Sequence, residues 1–317
     1  MKKKKENKMI LSESSYDFIK KVKLVVLKAV FKDDYLQEHL TLKGGTLLDM
    51  VWKVTKRPSI DADFSIDTSI SSTVDLAIFK IILQEALVRE FELGIDGKSY
   101  ELFDFELKEA PPSISEDLKS FWGGYTVLFK IIELDESLDL KAKRTKAVMV
   151  GKSKKKKHGN DIGLTAKYSI DISLHEICQE DRIEEKIGDV FISIYTPLMV
   201  VYEKIRAICQ TNEKYKVVIR RGRQSTPRTR DFYDIYQIVK KLEIDVKSNV
   251  SLLKSMFSVK RVSLDYLEEI KEQRDYHGQN FDKIKATLEV DELEHDTFDP
   301  YFDFVVDLIE TQIIPNL

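Results

Sequence analysis

Two aspartates separated by one residue, Asp61 and Asp63, lie in the stretch SIDADFSI. Polar and apolar residues alternate through this stretch, which predicts a β-strand. Residues two apart in a strand point to the same face, so the two carboxylates would repel each other. A Mg²⁺ or Mn²⁺ ion prefers oxygen ligands and would relieve that repulsion. Taken alone, such a pair of aspartates more often marks an exposed edge strand that carries acidic residues. Other residues are therefore needed to decide between this interpretation and a metal site.

Two glycines and a threonine, Gly44, Gly45 and Thr46, precede the aspartates. Glycines allow a tight turn and a close approach of the backbone to a ligand. The residues TLLDMVWK that begin at Thr46 predict a short helix, whose first amides would face an anion beside the Thr46 hydroxyl. A plain turn explains the glycines as well, and no Gly-Lys-Ser/Thr sequence follows, which excludes a P-loop. Together with the acids, the segment predicts a site that holds a nucleoside triphosphate (NTP) by its phosphates and its ions.

The segment LKGGTLLDMVWKVTKRPSIDADFSI resembles the first motif of the DNA polymerase β-like nucleotidyltransferase superfamily. Within it, the segment is most similar to the AbiEii/AbiGii toxin family of type IV toxin–antitoxin systems. The matching residues, in order, are Lys43, Gly44, Gly45, Thr46, Arg57, Ser59, Asp61, Asp63 and Phe64. The connection from helix to strand is slightly longer than in the family, and Pro58 separates Arg57 from Ser59. The resemblance implies that Arg57 and Ser59 join the glycine turn in binding the nucleotide.

A second match lies in the back half, where VYEKIRAI is followed by RTRDFYDIYQI. The resemblance implies that Lys204 contacts phosphate and that Arg230, Asp231 and Asp234 close the site. Asp231 and Asp234 are three residues apart and share one helix face, and the sequence does not rank one above the other. Without the first motif, Lys204 would be a surface lysine and Asp231 an ordinary acid at a helix start.

A third carboxylate is expected from the superfamily on a later strand, between apolar residues. Asp171, within the alternating stretch YSIDISL, fits this description. It would take the proton of the acceptor hydroxyl or complete a metal site with Asp61 and Asp63. The alternative is a solvent-facing acid on an amphipathic strand.

The chain has 317 residues, enough for one large domain or two ordinary ones. Strand patterns dominate the front half and helical patterns follow Ile194, which predicts an α+β fold. The resemblance implies a polymerase β-like mixed sheet flanked by helices, with a nucleotidyltransferase domain at residues 1–193. A mainly helical region at residues 194–317 would complete the active site. The lysine-rich segment 141–167 predicts a mobile loop or an extended hairpin.

Two basic runs carry no acid, with nine Lys or Arg in Lys141–Lys157 and seven in Lys214–Arg230. Such runs bind phosphate backbones by releasing counterions, or they are simply solvated loops. The resemblance implies tRNA as acceptor, bound through Lys141–Lys157 and Arg220–Arg230, and a cognate antitoxin as partner. No apolar run approaches the roughly 20 residues of a membrane helix. Two cysteines do not make a disulfide scaffold, so we expect a protein of the reducing cytoplasm with no membrane partner.

Three functions are compatible with these residues. The first is a metal-dependent nucleotidyltransferase toxin that moves a nucleotide from an NTP to an acceptor hydroxyl. The second is a non-toxic transferase acting on a small molecule or a protein. The third is a regulator that binds nucleotides without chemistry, against which the presence of both Asp61 and Asp63 argues.

Overall fold

The computed structural model describes residues 13–55, 59–152, 164–220, 222, 225–286, 288 and 293–317. Within these ranges the elements of the front half are α1 (Glu13–Phe31), α2 (Asp34–His39), β1 (Thr41–Lys43), a π-helical turn (Leu47–Val51), β2 (Ala62–Asp67), α3 (Leu76–Leu93), β3 (Tyr100–Ala110), α4 (Glu116–Lys119), β4 (Gly124–Glu133), α5 (Leu140–Lys146), β5 (Gly151–Lys152), β6 (Leu164–Thr165), β7 (Tyr168–Glu176), β8 (Ile183–Ile187) and β9 (Val190–Ile194).

The back half is helical throughout its described part. It contains α6 (Pro197–Cys209), α7 (Glu213–Val218), α8 (Thr229–Leu242), α9 (Val250–Val259), α10 (Tyr266–Glu269), a 3₁₀ turn (Ile270–Gln273), α11 (Arg274–Gly278), α12 (Phe281–Lys285) and α13 (Asp299–Leu308), which continues into a π-helical turn (Ile309–Ile313) and a 3₁₀ turn (Ile314–Asn316). The predicted α+β class, with a mixed sheet flanked by helices and a helical C-terminal region, is confirmed.

The described strands form a seven-stranded sheet in the order β3-β4-β7-β2-β1-β9-β8 and a separate pair of β5 with β6. β2 is parallel to β7, and β1 is parallel to β9, whereas the other neighbours in the large sheet are antiparallel. In this register Asp63 faces Lys43 on one side and Asp171 on the other. The sheet therefore brings three charged residues from distant parts of the sequence into one row.

The helices form where apolar residues recur at helical spacing. In α3, one face buries Phe79, Leu83, Leu87 and Phe91, and this face packs towards α1 and the sheet. Helix α6 begins as its Thr-Pro signal predicts, because the Thr196 hydroxyl accepts a hydrogen bond from the Met199 amide at 3.2 Å. Helix α6 in turn packs against α8 and α9.

One hydrophobic core runs through the sheet, the front helices and the back helices. Strand β9 ends at Ile194 and α6 begins at Pro197, close to the predicted division between residues 193 and 194. Both cysteines, Cys178 and Cys209, are buried and free. Among the described residues, no helix combines the length and the apolar character needed to cross a membrane.

The segment 141–167, predicted to be a mobile loop or an extended hairpin, differs from the prediction in its first part. It begins with helix α5, which Asp139 caps by accepting from the Ala142 amide at 2.7 Å. Its later part contains the short antiparallel pair β5 and β6, which agrees with a hairpin, and residues 153–163 lie outside the described part. The hairpin of β8 and β9 was not predicted, because the charged stretch IEEKI of β8 has little apolar alternation.

Candidate active site

The glycine turn lies against the acidic strand. β1 ends at Lys43, and Gly44 then takes a positive φ of 75°, a region that favours glycine. A Cβ atom on Gly44 would lie 2.5 Å from Oδ2 of Asp63, which is closer than real Cβ contacts allow. The backbone of the turn therefore occupies the space directly beside the carboxylate, and the two halves of the first motif are in contact.

Two hydroxyl groups hold the backbone of Asp61. Thr46 is fully buried, and its hydroxyl donates to the Asp61 carbonyl at 3.2 Å. The Ser59 hydroxyl donates to the same carbonyl at 3.4 Å. Thr46 also accepts from the Lys23 ammonium group at 3.5 Å. These contacts position the turn and the strand relative to each other, and Ser59 additionally lines the cleft described below.

The short helix predicted over TLLDMVWK is present as a helical stretch over residues 45–51. Its part Leu47–Val51 is a π-helical turn, and Thr46 makes no side-chain capping bond to it. A helix of this length offers little macrodipole. The glycine turn that leads into it is thus the part of the motif that can face an anion.

Asp61, Asp63 and Asp171 lie at one end of β2 and β7. Asp61 directly precedes β2, which starts at Ala62, and Asp63 pairs with Asp171 across the two parallel strands. Burial raises the pKa of Asp63 to about 7; the charge of Lys43 opposes this shift, and the charges of Asp171 and Asp61 add to it. Asp171 is exposed, and one of its oxygens accepts from the Thr126 hydroxyl at 2.7 Å.

A divalent cation fits part of this arrangement. Burial is the largest cause of the raised pKa of Asp63, and the charges of Asp171 and Asp61 add to it. A bound cation would offset these negative charges, and carboxylate oxygens are the ligands that Mg²⁺ prefers. In the part of the chain that the structure describes, no three His, Cys, Asp or Glu side chains are arranged to hold a metal ion. Asp61 and Asp63 are therefore the residues suited to hold a cation, with substrate oxygens as further ligands.

The second motif forms an ion-pair group between α6 and α8. The Lys204 ammonium group lies 3.0 Å from Oδ1 of Asp231 and 2.7 Å from Oδ2 of Asp234. Burial alone would lower the pKa of Lys204, but the two carboxylates raise it above its ordinary value. Asp231 and Asp234 share one helix face as predicted, and Asp234 is the more deeply buried of the two.

Sequence reasoning missed a largely buried ion cluster whose residues line the cleft described below. The Lys43 ammonium group lies 2.5 Å from Oε1 of Glu203 and 3.6 Å from Oε1 of Glu176. Arg206 donates to Glu176 at 2.8 Å, and the Lys260 ammonium group lies 3.4 Å from the same carboxylate. Lys43 belongs to the first motif and Glu203 to the Glu-Lys pair of the second, but no local pattern in the sequence connects these two residues with Glu176, Arg206 and Lys260.

One open cleft of about 890 Å³ joins both motifs. The residues of the predicted site that line it are Gly44, Gly45, Ser59, Asp61, Asp63, Lys204, Arg230, Asp231 and Asp234. Thr46 and Asp171 do not line it, and Arg57 lies outside the described residues. Residues from β1, β2, α6 and α8 thus meet around a common space that is large enough for a nucleotide.

The two basic runs contribute unequally to this cleft. Lys143 and Arg144 of α5 are paired with Glu101 and Asp104, and Arg220 is paired with Asp117. The described basic residues that line the cleft and are exposed are Lys152, Arg228, Arg230 and Lys283. Residues Lys154–Lys157 lie outside the described part.

Replacing Gly44 with alanine should disturb the acids as well as the turn. An L-residue in the left-handed region costs about 1–2 kcal/mol, and the new methyl group must also displace the Asp63 carboxylate. We expect a loss of stability above that cost in chemical denaturation, and a fall of about 100-fold in catalytic rate because the site is misplaced. Gly97→Ala is the matched control, since Gly97 has a φ of 77° and open space around it. Equal losses in both variants would show that the contact with Asp63 is unimportant.

Comparison with known proteins supports one family. The model of the AbiEii family (nucleotidyl transferase AbiEii toxin, type IV toxin–antitoxin system) matches residues 25–307. Comparison with curated proteins gives no match. The chain is also similar to the solved structure of MenT4, a nucleotidyltransferase toxin from Mycobacterium tuberculosis H37Rv, with 10% identity and a TM-score of 0.39 over 95% of this chain and 86% of that chain. The family match covers most of the chain and both motifs that line the cleft. The chain therefore belongs to the AbiEii family of nucleotidyl transferase toxins of type IV toxin–antitoxin systems.

Proposed function

We propose that this protein transfers a nucleotide from an NTP to a hydroxyl group at the end of a tRNA, in a metal-dependent reaction in the cytoplasm. The observation that carries the proposal is the single cleft in which the glycine turn, two aspartates and the Lys204 group meet. The family supplies the reaction type and implies a cognate antitoxin. The nucleotide, the metal ion and the acceptor are inferred from the chemistry of the cleft.

Binding of the NTP is assigned to the glycine turn and the basic side chains. Gly44 and Gly45 have no side chains to obstruct a phosphate at the cleft wall, and Lys204 and Arg230 supply positive charge. Arg57 is assigned to the same task from the motif alone. Lys204 already has two carboxylate partners, so it would share its donors between Asp231, Asp234 and a phosphate oxygen. The carboxylates thereby fix the direction in which the ammonium group points.

In the reaction, the acceptor oxygen bonds to the α-phosphorus and the bond from that phosphorus to the bridging oxygen breaks. Pyrophosphate leaves with the electron pair of that bond, and the acceptor proton passes to a carboxylate of the cleft lining or to water. Asp171, which the motif predicts for this role, pairs with Asp63 on the neighbouring strand but does not line the cleft. A Mg²⁺ or Mn²⁺ ion held by Asp61 and Asp63 would neutralise charge on the phosphates. The protein contributes chiefly by positioning the reactants and compensating their charge.

An RNA acceptor is supported by the charge around the cleft. Lys152, Arg228, Arg230 and Lys283 are exposed and line it, and a polyanion gains affinity from each cation it contacts by releasing counterions. A small neutral acceptor would gain little from four such groups.

The proposal is tested by incubating the purified protein with each of the four α-³²P-labelled NTPs, Mg²⁺ or Mn²⁺, and total tRNA. We expect label on the tRNA, and none when the terminal hydroxyls have been oxidised with periodate or when the metal ion is chelated. If the label appears on the protein or on a small molecule instead of on tRNA, the assignment of tRNA as the acceptor is refuted. The absence of transfer from any NTP under these conditions would refute the NTP-dependent reaction.

A further inference from the structure

One wall of the cleft has no part in the phosphate chemistry described above. It is formed by Ala110, Pro111, Trp122, Gly123 and Ser173, which connect β3 and β4 and lie on the adjoining part of β7. Trp122 is partly exposed there while its remainder packs on the hydrophobic core. An aromatic ring that faces a polar cleft offers a flat apolar surface to a ligand.

The tryptophan is held in place from both sides. Its amide donates to the Leu118 carbonyl at 2.9 Å, and the preceding Phe121 is buried. The Arg261 guanidinium lies 4.0 Å from the centre of the Phe121 ring. On the other side, the Gly123 carbonyl accepts from the Leu174 amide at 3.1 Å and fixes the entry into β4. The backbone that carries the indole is therefore fixed before a ligand binds, and the side chain packs against the hydrophobic core, which lowers the cost of ordering on binding.

The sheet sets the distance between this wall and the acids. Gly124 of β4 pairs with Ser173 of β7, and two residues further along Thr126 pairs with Asp171, which pairs with Asp63. Strands lie about 4.8 Å apart, so β4 is roughly 10 Å from β2 across the sheet. A ligand that reaches from the acids to Trp122 must therefore be charged at one end and flat at the other.

We propose that Trp122 stacks on the base of the nucleoside triphosphate, so that this wall is the base site of the cleft. The inference rests on the proposed function and specifies where in the cleft the base of the NTP binds. Every base has a π-face, so stacking by itself discriminates little between bases. Ser173, whose strand pairs with β4 directly after this wall, offers a hydroxyl that can contact the base edge.

The chain has two tryptophans, Trp52 and Trp122, which allows a direct test by fluorescence. In a Trp52→Phe variant, Trp122 is the sole indole reporter. Without an acceptor, addition of an NTP with a non-cleavable α,β-bond should quench its emission to saturation. Inorganic tripolyphosphate should displace the NTP without quenching, because it has no base. In the matched control Trp122→Phe, calorimetry should show retained NTP binding while the remaining Trp52 emission stays unchanged.

Kinetics provide an independent measurement. Trp122→Ala should weaken NTP binding and raise its KM about 5- to 150-fold, the range measured for loss of one stacked base, with affinity for tripolyphosphate unchanged. Trp122→Phe should recover most of the loss. An equal loss of tripolyphosphate affinity in Trp122→Ala would assign the residue to folding and overturn the inference.

Two fluorescence outcomes separate this inference from the proposed function. If the NTP binds by calorimetry but Trp122 emission does not change, the base lies elsewhere and only the inference fails. If Trp122 emission is quenched only when RNA with a 3′ end is present, the inference is also overturned, because the base stacked on Trp122 would then belong to the acceptor. If neither the NTP nor tripolyphosphate binds, nucleotide binding itself is refuted.

Discussion

Replacing Asp61 and Asp63 together with asparagine should abolish nucleotidyl transfer while the protein stays folded. The two side chains are the carboxylates suited to a cation beside the glycine turn, and metal-ion charge stabilisation contributes several kcal/mol to such reactions. We expect the rate to fall by more than about 1,000-fold. Growth inhibition by the expressed protein should be lost in the same variant. Transfer is measured with labelled NTP and tRNA, and folding by thermal denaturation.

Stability gives this prediction a second, independent readout. Burial and neighbouring acids disfavour the charged form of Asp63, so a neutral isostere removes repulsion. Without added metal at pH 8, the variant should be at least as stable as the wild-type protein. The control neutralises Glu184 and Glu185, two exposed acids on edge strand β8, and should leave transfer unchanged. Transfer within tenfold of the wild-type rate in the Asp61/Asp63 variant would contradict the catalytic assignment.

Replacing Glu176 with alanine should cause the largest loss of stability among single substitutions in the cleft. Burial alone would raise the pKa of Glu176, but Arg206, Lys260 and Lys43 hold it well below the ordinary value. Removal of the carboxylate takes away the acid with which Lys260 pairs, and leaves Glu203 as the acid that pairs with both Lys43 and Arg206. Breaking a buried charge cluster typically costs about 3–5 kcal/mol. Urea denaturation followed by circular dichroism measures the change in unfolding free energy.

The matched control for Glu176 is an acid in an exposed pair. Glu133 lies 2.8 Å from the Lys98 ammonium group, and both side chains are more than half exposed. Exposed pairs of this kind contribute little to stability because solvent screens them, so Glu133→Ala should have a small effect. Glu176→Gln, which keeps a hydrogen-bond acceptor for Arg206, should fall between the two alanine variants. A loss for Glu176→Ala no greater than that for Glu133→Ala would mean that the cluster does not hold the two halves together.

Local sequence patterns predicted the elements that carry their own signals. Alternation in SIDADFSI placed Asp63 on a strand, and Thr196 with Pro197 marked the start of α6. Both signals depend on neighbouring residues alone. The motif resemblance joined these pieces into one site, and the structure places most of the named residues around one cleft.

The features that were missed depend on contacts between distant segments. Nothing near Lys43 shows that its side chain meets Glu203, because that contact requires β1 to pair with β9 and β9 to lead into α6. Thr46 was predicted to face phosphate, yet its hydroxyl is directed to the Asp61 carbonyl. The order of strands in a sheet is set by the whole chain, so these contacts could not be inferred from local spacing.

The pairing of β1 with β9 has a consequence for synthesis on the ribosome. The strand that carries Lys43 is made early, but its parallel neighbour ends at Ile194, and Lys204 and Asp231 follow later still. A nascent or prematurely terminated polypeptide has the acids without the residues that face them across the cleft. We therefore expect truncated translation products to be harmless to the producing cell, whereas full-length protein becomes toxic as soon as its helical half has folded.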